Sequence, residues 1–138
     1  IAHVMDEKEV RLCLAHPLCA VASDGVLRRG QGHPRAAGAF PRALRWLRQA
    51  GFSWPEALRR ATALPASMAW LPSGVLTEGA PADLTVFSPD RLRDRADFQD
   101  PLAPPEGIEY VIVNGRLALE RGMVARPPSG RLITRIPA

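Results

Sequence analysis

Apolar side chains change their spacing at Gly74. Upstream they recur every three or four positions, the repeat of helices buried along one face; downstream they alternate, the repeat of strands with one face covered. A chain of 138 residues that changes period once is predicted to join a mainly helical part, residues 1–71, to a strand-rich part, residues 72–138. Neither part contains an internal repeat.

In the first part a helix is predicted over about 5–15. Asp6, Glu7 and Glu9 stand where carboxylates meet the positive end of its dipole, and Val10, Cys13 and Leu14 share its apolar face. His16-Pro17 ends it. Residues 18–22 are continuously apolar, the pattern of a strand covered on both faces in a parallel sheet. After a Gly-rich loop over 25–38, Phe40, Ala43, Leu44 and Leu47 repeat at helical spacing with Arg42, Arg45, Arg48 and Gln49 opposite, and Gly51 supplies the stop. Ser53-Trp54-Pro55-Glu56 reads as a capping box opening another helix, with Trp54, Ala57, Leu58 and Ala61 inward. That helix closes over 63–66, and 67–71 adds a turn. Helix, buried strand and helix in succession is α/β architecture.

In the second part, 74–76 and 83–87 are predicted strands about a Gly79-Ala80-Pro81 turn. Residues 108–113 and 116–120 flank Asn114-Gly115, the strongest short hairpin signal, since both residues tolerate positive φ. The intervening 88–107 is a loop rich in Asp, Arg and Pro, long enough to cover or serve a site. A Pro-rich tail, 126–130, leads to Leu132-Ile133.

Composition removes several function classes. The net charge of +4 comes from arginines scattered among acids, with Lys8 the only lysine. Nucleic-acid binding would require those cations on one face, so no nucleic-acid partner is expected. No apolar run approaches the ~20 residues of a membrane span, so no membrane partner is expected, and no signal peptide is visible in these residues. Cys13 and Cys19 occupy apolar positions and are predicted to be buried free thiols, which places the protein in the reducing cytoplasm.

The chemistry-bearing residues cluster early. The run 20–22 leads into Ser23-Asp24-Gly25, and His33-Pro34-Arg35 follows. A carboxylate at the tip of a buried strand is where a (βα)8 barrel keeps its catalytic groups, and a neighbouring guanidinium suits a carboxylate-bearing substrate. Ser-Asp-Gly is also ordinary turn chemistry, and the sequence spacing alone leaves both readings open. His3, His16 and His33 lack the His-x-His or His-x-x-x-His spacing that sets two imidazoles on one metal; His33 stands out for its place beside Arg35. A barrel needs about 250 residues, so the chain, which begins at Ile1, reads as the C-terminal piece of a larger protein.

Gly74-Val75-Leu76-Thr77-Glu78-Gly79-Ala80-Pro81-Ala82-Asp83-Leu84-Thr85-Val86-Phe87 resembles the closing signature of the amidohydrolase superfamily, its glycines turning the chain and Asp83 serving as a local cap. Ser23-Asp24-Gly25 with His33-Pro34-Arg35 and Phe40-Pro41, then Asp94-Arg95-Ala96-Asp97-Phe98-Gln99-Asp100-Pro101, then the stretch from Pro105 through Asn114-Gly115, narrow the resemblance to the N-acyl-D-amino-acid deacylase (D-aminoacylase) family.

That resemblance implies the last part of a (βα)8 metal-dependent hydrolase barrel over 1–71 followed by part of a C-terminal β-sandwich over 72–138. It implies an intact zinc enzyme that hydrolyses the linear amide of N-acyl-D-amino acids. Asp24 matches the catalytic carboxylate, which takes a proton from zinc-bound water and delivers it to the departing amine; a metal ion lowers the pKa of its water to about 7. Arg35 matches the group that grips the substrate α-carboxylate bidentately, with Ser23 and His33 beside it. The family's His-x-His pair, ligating Cys and two later histidines match nothing in this chain, and Cys13 and Cys19 do not stand where that Cys does. Asp24 is thus the sole possible metal contact. The piece alone is expected to bind no zinc and to be inactive, and its exposed faces are expected to need neighbours, supplied by the missing barrel part or by self-association. The rival readings are a cyclic-amide hydrolase of the dihydroorotase or hydantoinase kind, which the stretch from Asp94 disfavours, and a non-catalytic β-rich interaction module.

Overall fold

The computed structural model describes residues 5–29 and 31–133. His3 lies outside them. Helix α1 (Glu7–Ala15) is followed by a small antiparallel hairpin, β1 (Leu27–Arg28) and β2 (Gln31–Gly32), and then by α2 (Arg35–Gln49), α3 (Trp54–Ala61) and α4 (Ala63–Met68). Strands β3 (Leu84–Phe87), β4 (Ile108–Val113), β5 (Arg116–Glu120) and β6 (Met123–Val124) form one antiparallel sheet in the order β3-β4-β5-β6.

Local chemistry explains most boundaries. Asp6 caps α1, its Oδ1 accepting from the Lys8 amide at 3.4 Å. Ser53 and Glu56 form the expected capping box of α3: the Ser53 amide donates to Glu56 Oε2 at 2.8 Å, and the Glu56 amide donates to Ser53 Oγ at 3.4 Å. Asn114 and Gly115 take φ of 53° and 75° and set the β4–β5 register, with Val113 opposite Arg116.

The core joins both halves. Leu44 and Leu47 from α2, Ala57 from α3 and Leu92 from the 88–107 loop are buried together, and Leu14, Trp54, Phe87 and Ile108 pack against them. Leu47 is 1% exposed, a burial that stabilises by roughly 1.5–3 kcal/mol. Trp54 and Phe87 meet with ring centroids 5.3 Å apart.

Several expectations are corrected. Residues 18–22 are not a strand: Val21 is buried, but the backbone pairing there is Val21 N donating to Arg60 O at 2.9 Å. A strand needs a neighbouring strand, and none is supplied beside this segment among the described residues. Residues 74–76 are likewise irregular; Gly74, at φ 83°, lies so close to the α3–α4 junction that a Cβ would come within 2.7 Å of the Thr62 carbonyl, a packing role rather than a pairing one. Helix α2 begins at Arg35, inside the supposed Gly-rich loop, and Gly38 within it lets Asp94 approach closely, a would-be Cβ lying 3.3 Å from Asp94 Cβ. Cys13 is exposed and Cys19 only half-buried, both free thiols. Asp83 is not a local cap: its Oδ1 accepts from the Asn114 amide at 2.7 Å, 31 positions away. Among the described residues the larger sheet is a single four-stranded antiparallel layer, which is one layer of the sandwich part expected over 72–138.

Candidate active site

A buried arginine fixes the approach to Asp24. Arg60 of α3 is 6% exposed. Its guanidinium donates to the Leu14 and Ala15 carbonyls at 3.1 and 3.0 Å, and also to those of His16 and Cys19. Those of Leu14, Ala15 and His16 lie at the end of α1, where the helix dipole favours a cation. The Phe52 ring lies 4.8 Å from the guanidinium carbon. Arg60 thus pins the chain through Cys19, and its own carbonyl pins Val21, two residues before the site.

The backbone then bends. Asp24 adopts φ 46°, a conformation that Asp tolerates better than most residues. Ser23 Oγ accepts from the Gly25 amide at 3.2 Å, and Gly25 abuts the first turn of α2 so closely that a Cβ would sit 2.6 Å from Ala36 Cα. The turn reading of Ser-Asp-Gly is therefore satisfied by Ser23, which leaves the Asp24 carboxylate outward. That carboxylate pairs with Arg35, Oδ2 to Nη2 2.9 Å, with the Asp24 and Arg35 side chains 82% and 44% exposed. His33 Nδ1 accepts from the Arg35 amide at 3.1 Å, tying the imidazole to the first residue of α2. All four residues singled out in the sequence, Ser23, Asp24, His33 and Arg35, stand together at the start of α2.

The 88–107 loop reaches this place from the sheet. It is closed at its base by Ser88 N donating to Gly107 O at 2.8 Å and by an antiparallel bridge between Arg93 and Glu106. Leu92 and Ala96 are buried. Asp94 is held by Arg42, whose Nε lies 2.7 Å from Oδ2, with Arg45 3.6 Å from Oδ1. Asp97 Oδ1 accepts from the Gln99 and Asp100 amides at 2.8 and 2.7 Å, and these two bonds hold its carboxyl below the usual range. Between these anchors Phe98 meets the His33 ring edge-on, centroids 5.1 Å apart at 75°. Sequence reasoning gave no site role to Arg60, which has no local signal, nor to Phe98, which it read only as part of the family-specific stretch from Asp94 to Pro101.

The arrangement can bind a carboxylate through Arg35 and move a proton through Asp24. Among the described residues no three His, Cys, Asp or Glu side chains stand close enough together to hold a metal ion. A separate groove of about 610 Å³ runs between the sheet and residues 130–133 and includes none of the four site residues. Among the described residues no helix is long and apolar enough to cross a membrane.

The sequence pattern of the amidohydrolase family matches residues 4–118. The N-acyl-D-glutamate deacylase of Alcaligenes xylosoxydans xylosoxydans is 40% identical over 138 residues, covering 98% of this chain and 28% of that protein. The D-aminoacylase of the same organism is 35% identical over 141 residues, covering 100% of this chain and 29% of that protein. Among solved structures, a D-aminoacylase superposes with a TM-score of 0.82 at 34% identity, over 89% of this chain and 27% of that one. The N-acyl-D-glutamate deacylase of Bordetella bronchiseptica, complexed with zinc and a phosphonate mimic of the tetrahedral intermediate, superposes with a TM-score of 0.77 at 40% identity, over 89% and 28%. The chain thus spans less than a third of the length of the relatives it matches.

Proposed function

The chain belongs to the amidohydrolase family, and on that premise we propose that it is the C-terminal part of a zinc-dependent hydrolase that cleaves the linear amide of N-acyl-D-amino acids. The products are a D-amino acid and a carboxylate. The reading is supported by relatives named as deacylases of N-acyl-D-glutamate and N-acyl-D-aspartate and as D-aminoacylase. Residues 1–71 are then the last portion of a barrel, and 72–138 part of a β-sandwich. The chain exposes 10324 Å², whereas a compact monomer of its 15.0 kDa would expose roughly 7,000 Å². The excess favours completion by the rest of the barrel or by a second copy. The free thiols of Cys13 and Cys19 favour a cytoplasmic setting.

Zinc is proposed for the intact enzyme by analogy with the zinc-bound deacylase from Bordetella bronchiseptica. The residues described here do not form its binding set, so they are assigned only their own chemistry. Arg35 binds the substrate α-carboxylate with its planar fork. Asp24 takes a proton from the attacking water and hands it to the amine nitrogen as the C–N bond breaks. Ser23 and His33 hold these two groups in register from either side.

The observation that carries this reading is the Asp24–Arg35 pair, 2.9 Å apart and open to solvent on both sides. The deciding experiment measures release of D-amino acid by the intact protein from N-acetyl-D-glutamate, N-acetyl-D-aspartate and N-acetyl-D-methionine, beside a hydantoin. Turnover of at least one N-acyl-D-amino acid, lost in Asp24→Asn, is expected. Exclusive cleavage of the hydantoin would overturn the reading.

A further inference from the structure

We propose that Phe98 is a positioning residue for the carboxylate-binding arginine, acting through His33; this rests on the reading of Arg35 given above. Phe98 is 70% exposed in this chain, so its ring is not held by burial alone. It meets His33 edge-on, with centroids 5.1 Å apart. An edge-to-face pair is directional and holds both rings in one orientation. His33 cannot turn without losing its Nδ1 bond to the Arg35 amide, and Arg35 is the residue whose guanidinium reaches Asp24. Three successive contacts thus run from the loop to the charge pair.

The loop is built to hold that ring still. Phe98 sits between the two ends of the turn tied by Asp97 Oδ1 to the Gln99 and Asp100 amides. Four residues back, Asp94 is locked under α2 by Arg42, and Ala96 between them is buried. The same loop therefore grips α2 by its middle through Asp94 and touches its entry through Phe98 and His33. A loop inserted between two strands of the sheet sets the geometry of a group on a helix of the other half. Its consequence is for substrate affinity, because Arg35 binds the substrate and does not take part in proton transfer.

The test uses the intact protein and steady-state kinetics on an N-acyl-D-amino acid. Phe98→Ala and Phe98→Leu should raise KM about three- to tenfold, the range that one edge-to-face contact supplies, with kcat unchanged. Phe98→Tyr, which keeps the ring, should restore KM. In an Arg35→Ala background Phe98→Ala should add nothing, since residues acting through one another are not additive. A KM for Phe98→Ala and Phe98→Leu equal to that of the unaltered protein overturns the proposal, and so does an equal rise with and without Arg35. Should Phe98→Ala unfold at a lower temperature, the Leu and Tyr variants decide the matter. Failure of the unaltered protein to hydrolyse any N-acyl-D-amino acid would instead overturn the reading of the site, and this inference with it.

Discussion

Asp24 holds the guanidinium of Arg35 at 2.9 Å, so the groups proposed as proton carrier and as carboxylate binder neutralise one another before a substrate arrives. An incoming α-carboxylate must compete with Asp24 for the same cation. Asp24→Asn in the intact enzyme should therefore lower kcat by about 10²–10⁴-fold, as expected for loss of a general base. KM should fall or stay level, because Arg35 is released to the substrate. A rise in KM accompanying the loss of turnover would contradict this competition.

Arg35→Lys retains the charge and loses the fork. A point charge cannot bind a carboxylate bidentately, and the expected cost is about tenfold in KM, equivalent to ~1.4 kcal/mol. Turnover at saturation should change little. Parallel measurement of KM and kcat on one N-acyl-D-amino acid checks this directly.

Removing Arg60 leaves the end of α1 and the segment before Asp24 without their common donor. Arg60→Ala should destabilise the protein by about 2–4 kcal/mol, as unsatisfied carbonyls and a cavity form together. Arg60→Lys should recover part of this, since an ammonium cannot span four carbonyls. Thermal unfolding gives the magnitude. Limited proteolysis should show new cleavage within residues 7–22, and unchanged cleavage there would count against the pinning role.

Glu56 sets a pH dependence. Hydrogen bonds from the Ser53 hydroxyl and the Ser53 amide, helped by Arg60, hold its carboxyl below the ordinary 4.5. With the folded value depressed, the carboxylate contributes stability that is fully present above pH 4.5 and lost as pH falls through the folded value. The group is solvent-exposed, so the effect is a modest one, screened by salt. Glu56→Gln should flatten the acid limb of a stability-versus-pH curve below about pH 5, and Ser53→Ala should do the same.

Legibility in the sequence followed how local each cause was. The capping box at Ser53 and Glu56 and the turn at Asn114-Gly115 are written in neighbouring residues, and both formed. Ser23, Asp24, His33 and Arg35 fall within 13 consecutive positions, so the family resemblance that marks them is carried by one local stretch. By contrast, the apolar run 18–22 signalled the burial of Val21 but could not say whether a strand neighbour would be there to pair with it. Strand β6 has no plain signal in the sequence because its turn, Arg121-Gly122, places an arginine at φ 44° where no usual turn residue stands. Arg60 draws its meaning from carbonyls 41 to 46 positions away. Phe98 lies 65 positions from His33, and Asp83 likewise finds its partner across the sheet rather than nearby. Long-range pairings of this kind leave no periodicity to read.

Leu92 belongs to a segment between two strands yet fills the interior of the helices. A chimera assembled by splicing the first 71 residues of one relative to the remainder of another would carry a plug matched to a foreign socket. Positions 44, 47, 57 and 92 must accordingly travel as one inherited set, whichever side of the splice they fall on.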